Sequence, residues 1–231
     1  FIESLDRGSQ AIQKADSLEQ MMKDVLDIVL SKLDCDRVYL MHPCDPAAAN
    51  WTVPMERSKP GYAGSTHTQN LAIPMEPTLA KMLQILIDAG GPVTFGPGAD
   101  HPLTVNAKDR FGIRSMLAMA LFPRVGKAWQ LGVHRCSHAG SWTAEDKTLI
   151  REIGRRLEDA LSSLLAYRDL QESEERYRLI AENTADTISV FDLDLNPIYI
   201  SPSVQKQRGY TAEEAMAQSL DQVLTLESLQ K

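Results

Sequence analysis

The sequence predicts an α+β protein: an antiparallel sheet flanked by helices, followed by one very long helix and a smaller α/β segment. Three observations carry this expectation. Residues 114–122 and 129–136 are the two longest strand candidates, and the six residues between them contain Gly126 and have the length of a hairpin loop, so the two strands should be antiparallel neighbours. Around them, apolar residues at helical spacing alternate with short β-rich runs, in the order helix, two strands, helix, strand, short helix, two strands, long helix, which suits helices packed on an antiparallel sheet. Finally, residues 143–183 run without a proline or an obvious stop. About 40 residues at about 1.5 Å rise span roughly 60 Å, more than a compact domain needs.

Taken in order, residues 2–15 have Leu5, Ile12 and Ala15 as apolar points and fit the end of a preceding helix. Ser17 precedes Gln20 at capping-box spacing, and Leu18, Met21, Met22, Val25, Leu26, Val29 and Leu33 form an apolar stripe, so an amphipathic helix is expected to about Asp34. Residues 37–42 read as a strand closed by Pro43 and Pro46. Residues 51–56 read as the next, with Pro54 marking an edge or a bulge. A Pro/Gly loop over 58–65 leads to a largely buried helix over 78–89, which Gly90-Gly91-Pro92 stops. A short strand at 93–95, a loop at 96–102 and a helical turn or two at 106–111 precede the hairpin.

The long helix has a hydroxyl cap at Thr143, with Glu145 and Asp146 in its first turn where they complement the helix dipole. Its apolar residues Ile153, Leu157, Leu161, Leu164, Tyr167, Leu170, Tyr177 and Ile180 step mostly by three and four, close to a coiled-coil seam, so a homodimer through this helix is expected. Between Leu170 and Tyr177 polar residues interrupt the seam, and Glu172–Arg176 and Glu174–Arg178 are spaced for ion pairs. Beyond it, residues 187–191 and 198–201 read as a hairpin, 203–208 as a short helix ended by Gly209, and Thr211 with Glu214 as a second capping box. The tail over 220–229 is weakly helical.

Composition narrows the function classes. A net charge of −7 and a pI of about 5.3 argue against a nucleic-acid partner and an anionic membrane surface, which leaves small molecules and proteins. The apolar runs are far shorter than a bilayer-spanning helix. Three cysteines, Cys35, Cys44 and Cys136, are odd in number and lack metal spacing, so a reducing, cytoplasmic setting is expected. A first residue other than Met suggests a piece of something longer.

The arrangement, together with Trp51 and Glu56, Pro60-Gly61, the run Phe111-Gly112-Ile113-Arg114-Ser115-Met116-Leu117, Leu131-Gly132-Val133-His134 and Ser141-Trp142-Thr143-Ala144-Glu145-Asp146, resembles a GAF domain, closest to those of bacterial sensor kinases and diguanylate cyclases. Glu175-Arg176-Tyr177-Arg178, Glu182-Asn183-Thr184-Ala185-Asp186, Ile200-Ser201-Pro202-Ser203 and Gly209-Tyr210-Thr211-Ala212-Glu213-Glu214 resemble the N-terminal part of a PAS domain. Leu195 stands where that family often has glycine, and Asn196 is expected to take the positive φ instead. The resulting division is an upstream helix or linker over 1–16, a GAF-like sensor domain over 17–165, a connecting helix over 166–183, and an incomplete PAS-like segment over 184–231, whose apolar face should be poorly covered. The resemblance implies a sensory or dimerising module, not an enzyme, with an output domain in cis, a histidine kinase or diguanylate cyclase of a two-component or related system.

Candidate ligand-facing residues, from strand alternation and loop position, are Tyr39, Trp51, Val53, Phe111, Leu117, Met119 and His134. Aromatic, Leu and Met side chains around a sheet cavity suit a planar or apolar small molecule, and they also suit a solid core. His134, Cys136 and His138 alternate on one strand, and His42 with Cys44 repeats the spacing, so a metal or haem ligand set is the alternative, with His134 as its best single ligand. Bilin-carrying relatives of the GAF family place their cysteine after the short helix. Here Arg110-Phe111-Gly112-Ile113 occupies that place, so covalent bilin attachment is not expected. No phosphate-cradling, nucleophile-elbow or metalloprotease motif occurs.

Overall fold

The computed structural model describes residues 18–64, 72–218 and 222. The expected helix over 2–15, the Ser17 cap, Ser65 and the tail over 220–229 apart from Gln222 fall outside these. The chain divides into two compact units, Phe1–Arg168 and Asp169–Lys231.

In the first unit, six strands form one antiparallel sheet: β1 (Arg37–His42), β2 (Asn50–Ser58), β3 (Ile73–Pro74), β4 (Val93–Phe95), β5 (Ser115–Leu121) and β6 (Trp129–Arg135), in the order β3-β2-β1-β6-β5-β4. Strands β5 and β6 are the expected hairpin, paired from Ser115↔Arg135 to Leu121↔Trp129. Pro54 lies where the β1–β2 register shifts, between the pairs Leu40↔Met55 and His42↔Thr52. A residue without an N–H is tolerated there because the ladder is already interrupted.

Helices cover both faces. On one face lie α1, helical over 18–32, and the first part of α4 (Ala144–Asn183). Met22, Leu26, Val29 and Leu33 of the first segment and Ile150, Ile153, Leu157, Leu161 and Leu164 of α4 pack on Val38, Leu40, Leu117, Met119, Leu121, Leu131 and Val133. Gly154 lets α4 approach the sheet closely, because a Cβ there would lie 2.6 Å from Met119 Sδ. The helix starts as its sequence requires. Thr143 N donates to Asp146 Oδ2 (2.8 Å) and Asp146 N donates to Thr143 Oγ1 (3.1 Å). On the other face, α2 (Pro77–Ala89) contributes Leu83 and Leu86, ends at Gly90 with φ 58°, and packs with β4 and α3 (Val105–Phe111) over Tyr39, Met41, Met116, Ala118 and Ala120.

The second unit contains the end of α4, a two-stranded ribbon of β7 (Ser189–Phe191) and β8 (Pro197–Ile200), and two short helices, α5 (Val204–Arg208) and α6 (Ala212–Met216). Thr211 and Glu214 form the expected capping box. The core here is small, built on Ile200, Val204 and Ala215, while Val190, Phe191, Ile198 and Tyr210 stay exposed. Two expectations are corrected. Leu195, not Asn196, takes the positive φ (64°), because the Asp192 carboxylate accepts from Asp194 N, Asn196 N and Asn196 Nδ2 while Leu195 N donates to Asp192 O, which fixes the turn around Leu195. On α4, Arg178 pairs with Glu182 at 3.9 Å instead of Glu174, and Glu172–Arg176 is not among the ion pairs of the described residues. Leu170, Tyr177 and Ile180 are exposed by 53%, 69% and 56%.

Candidate functional site

A cavity of about 90 Å³ opens on the α2/α3 face of the sheet. Its position follows from strand parity. On β1, Arg37, Tyr39 and Met41 point to this face while Val38 and Leu40 point to the other. On β6 the corresponding set is Gln130, Gly132 and His134. Opposite them on β5, Met116 pairs with His134, Ala118 with Gly132 and Ala120 with Gln130. Small residues at Ala118, Ala120 and Gly132 leave the room. Gly132 is required because a Cβ there would overlap the Tyr39 ring.

Of the sequence-derived candidates, Tyr39, Trp51, Val53, Phe111 and His134 line the cavity. Leu117 and Met119 do not, and this is a correction: they pair with Val133 and Leu131 and belong to the core beneath α1 and α4, one residue out of phase with Met116, which does line it. Arg37, Glu56 and Gln130 line it too and were not anticipated, although Arg37 stands two residues before Tyr39 and Gln130 four before His134, the spacing of a shared face.

The polar floor is organised by Arg37, whose side chain is 5% exposed. Its Nε donates to Tyr62 O (2.9 Å), its Nη2 to Ala63 O (3.1 Å) and its Nη1 to His134 Nδ1 (3.5 Å), and Glu56 lies 4.0 Å away with 3% exposure. Glu56 Oε1 also accepts from Gly64 N (2.7 Å), so the buried ion pair ties the loop after β2 to the cavity rim. Burial first, and the Arg37 charge second, hold His134 well below the usual histidine range, so the ring is neutral. With Nδ1 accepting from Arg37, its proton is on Nε2. The Tyr39 ring sits 4.6 Å from that imidazole, and its hydroxyl accepts from Gln130 Nε2 (2.8 Å) and reaches Met116 Sδ (3.8 Å).

Three lining side chains each carry a polar atom with no hydrogen-bond partner among the described residues: His134 Nε2, Gln130 Oε1 and Trp51 Nε1. A buried donor or acceptor left unmade costs about 1–3 kcal/mol, so each of the three calls for a partner, be it a water or a ligand. The indoles of Trp129 and Trp142 are also unpartnered but line no part of it, which gives His134 and Gln130 the greater weight.

The metal alternative finds its residues separated. His138 Nε2 pairs with Asp34 (3.0 Å), the His42 ring stacks on Trp129 (4.5 Å), and among the described residues no three His, Cys, Asp or Glu side chains converge as a metal site would need. The three cysteines are free, and none lines the cavity. Burial pushes the Cys35 and Cys44 thiols up to about 12, which leaves both protonated and unreactive near neutrality.

No family model matches the chain, and no curated protein matches it. Solved structures do. A far-red cyanobacteriochrome photoreceptor superposes with a TM-score of 0.53 at 18% identity, over 70% of this chain and 95% of that one. GAF3 from Slr1393 of Synechocystis sp. PCC6803, in its photoproduct state, gives 0.53 at 19% identity over 67% and 99%. The phycoerythrobilin-bound GAF domain of a cyanobacterial phytochrome gives 0.51 at 17% identity over 69% and 92%. At such identities the likeness concerns the fold, and the fold is that of a GAF domain. No helix among the described residues is long and apolar enough to cross a membrane.

Proposed function

We propose that this chain is a sensory input region of a multidomain bacterial signalling protein: a GAF-fold unit binds a small molecule, and α4 relays the bound state as a change in its pairing with a second copy. The supporting observation is the cavity on one face of the sheet, with unpartnered polar atoms around it, while α4 packs against the other face of the same strands. Adjacent residues of β5 belong to both sides, Met116 to the cavity and Leu117 to the core under α4, so a shift of that strand reaches both. Exposed Leu170, Tyr177 and Ile180 supply an apolar stripe for pairing. The segment from α4 onward is read as the first part of a PAS-like domain leading to a kinase or cyclase output in cis, and free buried thiols suit the cytoplasm.

The reading is of a binding module, not an enzyme. His134 is held neutral, and burial pushes the Tyr39 phenol up, so neither is poised to exchange a proton near neutral pH. The bilin-bound GAF domains among the similar structures prompt a fit test, and a linear tetrapyrrole fails it, for at about 10–15 Å³ per water the cavity of about 90 Å³ holds only about six to nine non-hydrogen atoms and offers no cysteine. Haem is the second reading, favoured by the unpartnered Nε2 of a neutral His134 and opposed by the same volume.

Two measurements test these proposals. Sedimentation or light scattering at high concentration should give the mass of a dimer, weakened by Tyr177→Glu, and a strict monomer ends the relay. An absorption spectrum of protein made with haem supplied should lack a Soret band. A band abolished by His134→Ala would install haem instead.

A further inference from the structure

If the cavity holds the ligand of a sensory domain, as proposed above, its walls also restrict the chemistry of that ligand, and the restriction rests on the sensory reading. Charge comes first. Two cations stand in the wall: buried Arg37 is matched by Glu56 and spends three of its five N–H groups on Tyr62 O, Ala63 O and His134 Nδ1, while the half-exposed Arg110 lies 3.6 Å from Glu76. An anionic ligand would therefore have to compete with Glu56 or Glu76 for its countercharge, and a cationic one would meet a carboxylate already held by Arg37 and Gly64 N. What the site lacks is neutral hydrogen bonding. His134 has an N–H and Gln130 an amide oxygen, each buried and without a partner, which a ligand meets as the side chains turn into the cavity. Turning the Gln130 amide over exchanges which of its ends meets Tyr39 and leaves the other unpartnered, so one amide atom is orphaned either way.

Size and shape add two limits. A water occupies about 10–15 Å³ by the measure that gives the cavity about 90 Å³, so the space suits a molecule of about six to nine non-hydrogen atoms. Trp51, Phe111 and Met116 supply flat or polarizable apolar walls, with Trp51 and Phe111 in edge contact at 6.3 Å.

We propose that the ligand is a small, neutral, planar amide, a carboxamide-bearing or lactam ring, whose carbonyl oxygen accepts from His134 Nε2–H and whose amide group pairs with Gln130 while the ring lies against Trp51 and Phe111. An amide carries a strong acceptor and a strong donor side by side without a charge, so it pairs with Gln130 in either orientation of that side chain. The discrimination expected is large, because a ring without the amide leaves both protein atoms unmade, and a carboxylate in its place brings an uncompensated charge.

The test is calorimetric titration of the whole chain with nicotinamide and with uracil, against nicotinate, which has the shape of nicotinamide and a negative charge, and pyridine, which has the ring without the amide. Saturable binding of nicotinamide or uracil below about 1 mM, with nicotinate and pyridine weaker by tenfold or more, is the expected result. Gln130→Met and His134→Phe keep volume and should each weaken the amide by about tenfold, whereas Met119→Leu on the opposite sheet face should leave it unchanged. Should either cavity variant fail to fold, the comparison of the four probes on the unaltered protein still decides. Equal or tighter binding of nicotinate or pyridine, or no saturable binding of both amides, overturns the proposal. In that event a thermal-shift screen of charged metabolites separates the two failures: a hit leaves the sensory reading standing with another ligand class, and no shift with any compound removes that reading as well.

Discussion

The two faces of one sheet are built to opposite rules. Beneath α1 and α4 the strands carry Leu117, Met119, Leu121, Leu131 and Val133, and the helix comes close enough that Gly154 touches Met119. One residue along each strand, facing α2 and α3, stand Met116, Ala118, Ala120 and Gly132, with buried polar groups between them. The first face is solid and apolar, and the second is hollow and partly unsatisfied. Stability is therefore concentrated on the side that holds the long helix, and the opposite side has spare volume at which a bound molecule can act.

The largest expected contrast comes from adjacent truncations on β5. Leu117→Ala should cost about 3–4 kcal/mol in urea unfolding, since it opens a void in a closed core. Met116→Ala should cost nearer 2 kcal/mol, since Met116 already borders empty space. Equal costs would break the contrast.

Acid should reach the hollow face first. The folded protein holds His134 below 6.5, so the unfolded chain binds the extra proton, and the stability from the neutral ring is full above about pH 6.5 and falls as pH drops below it. A second loss belongs to Asp36, which burial alone would raise but which bonds from Ser137 N, Ser137 Oγ and Cys136 N, with the Lys59 charge, bring down to about 2. Its stabilisation of about 2 kcal/mol is present above its unfolded pKa of 3.8 and disappears as pH falls towards 2. Unfolding free energy against pH should show both steps, with only the upper one, to which His42, also held low by burial, contributes, reduced in His134→Phe.

Gly132→Ala should cost about 1–2 kcal/mol, because the Tyr39 ring must swing into the cavity and give up Gln130. It should also abolish ligand binding, which calorimetry would read. The smallest effect is expected at Gly154→Ala. Its new methyl strains Met119 by about 1–3 kcal/mol but gains about 1 kcal/mol of helix propensity, for a net loss of about 1 kcal/mol. Because the proposed relay couples the faces through β5, the Gly154 variant should also shift ligand affinity, and an unchanged affinity would count against the relay.

Much of this fold was legible because its signals are periodic. The stripe from Met22 to Leu33, the Gly90 stop, the Thr143 cap and the Gly126 hairpin each state their structure locally. The facing of β5 was not legible. Residues 115–121 are apolar in both phases apart from Ser115, so no alternation says which set looks at the cavity, and only the pairing of Met116 with His134 decides it. Arg37 and Gln130 escaped notice because polar residues in strands ordinarily face solvent. Arg37 is buried through a long-range pairing with Glu56 and the 62–63 carbonyls, and Gln130 through Tyr39. Leu195 misled for a similar reason, since the Asp192 bonds, not the residue's own preference, set its φ.

Gly132 gives the open side of the sheet a history as well as a geometry. A glycine in the middle of a strand carries a standing penalty of about 0.5–1 kcal/mol, which a larger residue relieves only where the Tyr39 ring no longer stands against it. A lineage that ceased to use the cavity would be free to fill that position, and once it did, the constraint on an aromatic ring at Tyr39 would lapse with it. Among relatives of this chain, glycine at 132 and tyrosine at 39 should therefore be inherited or lost as a pair, and the pair marks which descendants still have something to bind.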